Sequence, residues 1–283
     1  MTEAAAAATA ATPTVLREER DGDVAILVLA DAKRLNPLGQ PLQNALRERL
    51  RALAADRSVR ALVITADGRG FCVGADLSAM NSALGGDAAA DTRTLGDKTA
   101  DTMHAASNRL ISDIRRLPFP VVSAINGACA GAGVGLALSA DIVVAARSAY
   151  FYLPFMARLG IVPDLGTTWF LERLVGRGRA TALTLLGEKL PAEKAAEWGI
   201  AWACVDDEAL RDKALKLAHR LAALPPQAAL ETRRAYDAAA HNSLDAQMGY
   251  EAERQRELID APSFAEGVQA FIGKREPRFS GRS

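Results

Sequence analysis

The segment Asn126-Gly127-Ala128-Cys129-Ala130-Gly131-Ala132-Gly133-Val134-Gly135 restricts what this chain can fold into more than any other stretch. It follows the apolar run Val121–Ile125, which reads as a buried strand, and precedes a helix expected to run to about Ala140. A strand-to-helix corner with so little side chain lets main chain come close to something, either a neighbouring backbone in a packed core or a ligand. A dinucleotide-binding turn is one functional reading, because Gly131 and Gly133 precede a helix. The spacing opposes it: Gly135 follows Gly133 too closely, and where that motif needs an acid at the end of the next strand the chain has Ser148 and Tyr150.

A second corner, Phe71-Cys72-Val73-Gly74-Ala75-Asp76-Leu77, closes the Gly-rich stretch that begins at Gly68 after the apolar run Ala61–Thr65. It reads as a tight turn in which Gly74 takes an unusual φ angle and Asp76 caps a short helix. It reads equally as a place where a ligand carbonyl meets the amide of Ala75. The two readings are compatible.

Along the chain, Val15–Glu19 and Ala25–Leu29 are expected to pair as a hairpin turning at Asp21-Gly22. Leu42, Ala45, Leu46, Leu50 and Leu53 recur at helical spacing within 40–55, and Ile142–Ala145 is a further buried strand. Beyond Thr167 the pattern is helical, over 168–175, 179–186, 192–198, 208–223, 227–240 and 246–259, with a last helix opened by a Ser263/Glu266 capping box. The expected organisation is α/β: an Ala-rich disordered tail over 1–14, an α/β core over 15–200, and a helical region over 201–283 that covers a neighbouring subunit.

Lys plus Arg number 34 and Asp plus Glu number 34, so no basic excess exists to hold a nucleic acid. Cys72, Cys129 and Cys204 have no paired spacing and sit among small or apolar residues, which suits a reducing cytoplasm and opposes a disulfide framework. The first residues lack the basic start and Leu-rich run of a secretory signal and the arginines of a mitochondrial one. The longest apolar candidate, Val121–Ala146, is interrupted by Asn126, several glycines and Asp141, so no membrane span is expected. His104, His219 and His241 show no metal-ligand spacing; the last two read as helix-surface residues and His104 as a conceivable substrate contact.

Taken together, the Asn36-Pro37-Leu38 corner, FCVGADL, PVVSAINGACAGAGVGLALSADIVVA, GIVPDLGTTWFLERLVGRGRA and EGVQAFIGKREPRF resemble the crotonase (enoyl-CoA hydratase/isomerase) family in order, from Val15 to the C-terminus. The resemblance implies a spiral of repeated ββα units with a helical C-terminal region. It implies a coenzyme A thioester as substrate, no permanently bound cofactor and no metal, and a homo-oligomer, a trimer or a hexamer. It implies an oxyanion hole made by the amides of Ala75 and Ala132, the latter departing from the family's usual glycine. The physics agrees: removing a proton beside a thioester puts charge on the carbonyl oxygen, and two preorganised amides stabilise it where it develops.

Hydratases of the family hold water with two glutamates, and here those positions fall at Gly135 and within Leu153–Phe155. Both acids are missing. Asp164 stands where several isomerases, including the ring-opening isomerase of phenylacetate breakdown, carry their catalytic acid, and Ile161, Val162 and Leu165 around it would raise its pKa in an apolar pocket. Asp164 can equally be the N-cap of the helix that follows. Glu172 and Arg173 should face solvent. The resemblance further implies that the coenzyme lies along Lys33, Arg34 and Leu35 and along Ala75, Asp76 and Leu77, with Lys274 near the ribose phosphate; Lys274 and Arg275 read as well as a solvated helix end. Asn81–His104 is the expected wall and lid of the acyl pocket. An isomerase is the expectation, a 2-enoyl-CoA hydratase the alternative, and a non-catalytic CoA-binding or structural paralogue the reading of another class.

Overall fold

The structure is a computed structural model that describes residues 14–78 and 93–281. Its centre is a six-stranded sheet in the order β1-β2-β3-β5-β7-β10, beside a four-stranded sheet in the order β4-β6-β8-β9. The large sheet comprises β1 (Leu16–Asp21), β2 (Val24–Leu29), β3 (Ala61–Ala66), β5 (Val121–Ile125), β7 (Ile142–Ala146) and β10 (Ala203–Val205). Apart from the opening hairpin β1–β2, all its pairings are parallel. That explains the unalternating sequences: every residue of β2 and of β5 is buried, as strands covered on both faces must be.

The small sheet is formed by β4 (Gly70–Cys72), β6 (Ala128–Ala130), β8 (Tyr150–Tyr152) and β9 (Lys189–Pro191). Consecutive strands alternate between the sheets, so β3–β4, then β5–β6 with α4 (Ala132–Leu138), then β7–β8 with α5 (Thr167–Leu186) form successive turns of a spiral. The spiral of ββα units is therefore present. The first two crossings from the large to the small sheet, β3 to β4 and β5 to β6, pass glycine-containing corners, whereas β7 reaches β8 through Arg147-Ser148-Ala149. Gly127 is obligatory at one of them, because a Cβ there would stand 2.1 Å from the Arg69 carbonyl oxygen.

Helix α1 (Gln40–Ala55) buries Leu42, Leu46, Leu50 and Leu53 on one face. Each such leucine contributes roughly 1.5–3 kcal/mol by leaving water. A long helical stretch follows the undescribed segment: α2 (Leu95–Thr102), a π turn over Met103–Ser107, and α3 (Asn108–Arg115). Its start is a capping box in which Thr94 and Asp97 each accept the other's backbone N–H. Of the expected lid, 81–92 lie outside the described residues, as do 1–13 of the expected tail.

The two helices expected over 168–175 and 179–186 are present, meeting within α5 at Gly176, whose backbone is not helical (φ +76°). After α6 (Ala192–Glu197), β10 joins the large sheet and α7 (Leu210–Ala222) packs Leu210, Ala214, Leu217, Ala218 and Ala222 into the core. Residues just past 200 thus belong to the core. Helices α8 (Pro226–Ala239), α9 (Leu244–Ile259) and α10 (Pro262–Ile272) lie outside it, burying only Glu231 and Ala270. Arg233 ties α8 down: its guanidinium holds Asp141 at 2.6 Å and donates to the carbonyls of Arg115, Leu117 and Phe119. The Ser263/Glu266 box does not form, because Pro262 opens α10 two residues earlier, with Ala261 as the N-cap, and Glu266 instead holds Arg275.

Candidate active site

Strands β4 and β6 run side by side, with Cys72 opposite Cys129, and deliver their two corners to the same place. Gly74 (φ +86°) and Gly131 (φ +53°) take left-handed conformations. Their closeness is set by missing side chains: a Cβ on Gly74 would stand 2.9 Å from the Ala132 nitrogen, and one on Gly133 would stand 2.2 Å from the Cys72 carbonyl oxygen. These glycines serve packing, and the packing of Gly74 against the Ala132 nitrogen sets the two corners side by side. Neither the Ala75 nor the Ala132 amide donates to another described residue. Ala75 is exposed, whereas Ala132 is nearly closed off as the first residue of α4. Burial pushes the Cys72 thiol up to about 12 and Cys129 well above the ordinary thiol value, so both act as packing atoms behind the corners.

Asp164 approaches from the loop that enters α5. Burial pushes its carboxyl up to about 6, opposed by a hydrogen bond from its own amide, and its Oδ1 is shielded with no partner. The helix-cap role does not hold: Gly166 is the N-cap of α5 and no side chain caps it. The expected apolar surroundings are only partly present. Leu165 is buried, but Ile161 and Val162 are 48% and 72% exposed, so they are not what shields the acid within one chain. Leu165 (φ +48°) and Gly166 (φ +75°) form a left-handed pair that swings the chain back against α4. There Gly135 meets it; a Cβ at 135 would lie 2.6 Å from the Leu165 carbonyl oxygen and 3.0 Å from Thr167 Oγ1.

In the stretch where the second hydratase glutamate was expected, Leu153 and Phe155 are buried apolar residues. Glu172 and Arg173 face solvent as expected, and Arg173 stacks over Trp169 at 3.9 Å. Of the histidines, His104 is exposed on the π turn and His219 pairs with Asp21 at 3.0 Å on the surface of α7.

Along the expected coenzyme wall, Lys33 is exposed and Leu35 (φ +59°) packs against Gly70. Arg34 is already engaged, bridging Asp31 at 2.7 Å and Asp76 at 2.8 Å. Thus Asp76 ties the second corner to the loop at 33–36, and Leu77 follows it at 55% exposure. Asn36 had no site role in the sequence reading, yet it is wholly buried and donates to the carbonyls of Gly70 (2.8 Å) and Asp67 (3.1 Å), while Leu38 N donates to Gly74 O. The signal in the sequence was the Asn36-Pro37 step, a turn dipeptide. Lys274 (φ +49°) is exposed with no ion pair to a described residue, whereas Arg275 is taken by Glu266 at 2.6 Å.

A two-sheet ββα spiral whose glycine corners meet, Gly74 against Ala132, defines the class of the protein. The enoyl-CoA hydratase/isomerase profile matches residues 19–282, so the chain belongs to that family, the crotonases, whose members process CoA thioesters without a bound cofactor. It is similar to the 1,2-epoxyphenylacetyl-CoA isomerase of Escherichia coli K12, at 41% identity, covering 92% of this chain and 95% of the relative. A Rhodobacter capsulatus protein named "Probable enoyl-CoA hydratase" is 38% identical, with 94% and 98% covered. A crystal structure of an enoyl-CoA hydratase from Polaromonas sp. JS666 superposes with a TM-score of 0.85 at 29% identity, covering 94% of this chain and 99% of that one. Among the described residues no helix is long and apolar enough to cross a membrane.

Proposed function

We propose that the protein is an enoyl-CoA isomerase-type enzyme with Asp164 as its only acid–base group. Asp164, ionised, removes a proton from the α carbon of a 3-enoyl-CoA. The electron pair moves onto the thioester oxygen, where the amides of Ala75 and Ala132 hold the enolate. As the pair returns through the conjugated system, Asp164 delivers the same proton to the γ carbon, giving the 2-enoyl-CoA with no water consumed. A carboxyl raised to about 6 suits both halves, since it is largely ionised at neutral pH yet basic enough to take a proton from carbon.

The observation that carries this reading is the contact between Gly135 and the Leu165 carbonyl, which leaves no room for the first hydratase glutamate. Hydration keeps some support from the similarity to a protein named as a hydratase, but it needs a second carboxylate to orient water. In this reading the coenzyme lies along Lys33–Leu35 and Ala75–Leu77. Lys33 and Lys274 are the cations free to meet phosphate, since Arg34 is committed to Asp31 and Asp76. A homo-oligomer is part of the proposal, because α8–α10 present Tyr236 (78% exposed), Phe271 (87%) and Ile272 (76%) to solvent. The test is a comparison of rates on two substrates: isomerisation of a 3-enoyl-CoA should far outrun hydration of a 2-enoyl-CoA, and the reverse ratio would overturn the reading.

A further inference from the structure

The turn that carries Asp164 holds two polar atoms that the fold leaves unsatisfied. Asp164 Oδ1 and Thr167 Oγ1 are both shielded from solvent and neither has a hydrogen-bond partner. Thr167 is wholly buried. The turn is closed by Thr167 N donating to Asp164 O at 2.9 Å, and between them stand Leu165 and Gly166 with φ of +48° and +75°. Two successive left-handed residues make a turn of the I′ kind, which brings the α carbons of its first and fourth residues within about 7 Å. The carboxyl and the hydroxyl are thus neighbours, one side-chain rotation or one bridging water from contact.

A buried hydroxyl without a partner costs stability that a valine of the same shape would not. Several other shielded atoms of this kind have local explanations. Asn36 and Asn126 use their amide nitrogens on turn carbonyls, Arg60 uses both its terminal nitrogens, and Glu231 faces Arg254 at 3.8 Å. Ser123 stands alone inside β5. Only at Thr167 does the orphan lie beside the acid assigned to the chemistry, and there it is confined from the far side by Gly135.

We propose that Thr167 is a positioning residue for Asp164, its hydroxyl donating to the carboxylate when it is ionised and accepting from the carboxyl O–H when it carries the substrate proton. A hydroxyl is both donor and acceptor, so one side chain serves both states of a group that must lift a proton from one carbon and set it on another. No side chain among the described residues offers Oδ1 a hydrogen bond. The inference rests on the proposed role of Asp164.

Thr167→Val, Thr167→Ser and Asp164→Asn, each made in the full chain, test it. Thr167→Val should melt at or above the wild-type temperature while kcat for 3-enoyl-CoA isomerisation falls ~10-fold or more and KM stays within ~2-fold. The acid limb of its pH–rate profile should move to higher pH, because the ionised carboxylate has lost a donor. Thr167→Ser should restore both rate and limb. Wild-type kcat and an unmoved limb in Thr167→Val would overturn the inference, as would a melting temperature well below wild type, which would mean that the hydroxyl is satisfied within the fold. If Asp164→Asn keeps full activity, the role of Asp164 falls and this inference with it; if Asp164→Asn is inactive while Thr167→Val turns over normally, only the inference fails.

Discussion

The α carbon of Gly135 lies against the main chain of Leu165 so closely that a Cβ at 135 would stand 2.6 Å from the Leu165 carbonyl oxygen and 2.8 Å from its Cβ. Both opposing atoms belong to or adjoin a backbone fixed by two left-handed residues, so neither can swing away. On the proposed reading, in which Gly135 stands where a hydratase of the family has a glutamate, the loop bearing Asp164 closes off that side chain's space. Gly135→Ala should destabilise the protein by about 1–3 kcal/mol through overpacking and should lower isomerase turnover by moving Asp164. Chemical denaturation with parallel kinetics checks this, and an unchanged midpoint and rate would show the contact to be slack.

Asp164 also predicts a pH dependence of stability. Its carboxyl titrates near 3.8 ordinarily and near 6 when buried, so folding favours the protonated form. The stability it contributes is complete below pH 3.8 and is lost as pH rises through about 6. Replacing it with Asn removes that loss. Asp164→Asn should therefore be more stable than wild type at pH 7–8, by on the order of 2–3 kcal/mol, with the difference fading as pH falls from about 6 towards 4. Melting temperatures across that range are the measurement.

The oxyanion hole is tested by deleting one donor. Ala75→Pro removes an amide proton that no described residue accepts, so CoA binding by calorimetry should persist. Turnover should drop by ~10²–10³, the usual effect of losing one such donor.

Much of this architecture is legible in the sequence. Apolar runs without alternation give the parallel strands, and α1 is visible end to end because its leucines recur at helical spacing beside interleaved arginines. The glycine corners stand out because nothing else tolerates such backbone contact. What is hidden depends on contacts between distant segments. Nothing local says that Gly135 touches Leu165, or that Arg34 spends its charge on Asp31 and Asp76. The left-handed conformation of Leu165 is equally invisible, since a bulky residue rarely adopts it, and that conformation is what separates Asp164 from a helix cap. Ile161 and Val162 mislead for a related reason: apolar character near an acid does not say which way the side chains point.

The outer helices predict assembly. Leu244 (75% exposed), Phe271 (87%) and Ile272 (76%) are large apolar side chains left in water, so light scattering should give a multiple of the chain mass, a trimer or a pair of trimers. A stable monomer at micromolar concentration would contradict this.

The central claim, that one carboxylate moves the proton and no water is added, is tested most directly in deuterated water. With a 3-enoyl-CoA, the wild type should yield the 2-enoyl-CoA together with partial deuterium exchange at the α carbon, and it should hydrate a 2-enoyl-CoA only slowly. Asp164→Asn should fold, bind the substrate and lose isomerisation by ~10²–10⁴-fold. Brisk hydration by the wild type that survives in Asp164→Asn would contradict the account and place the chemistry on another acid.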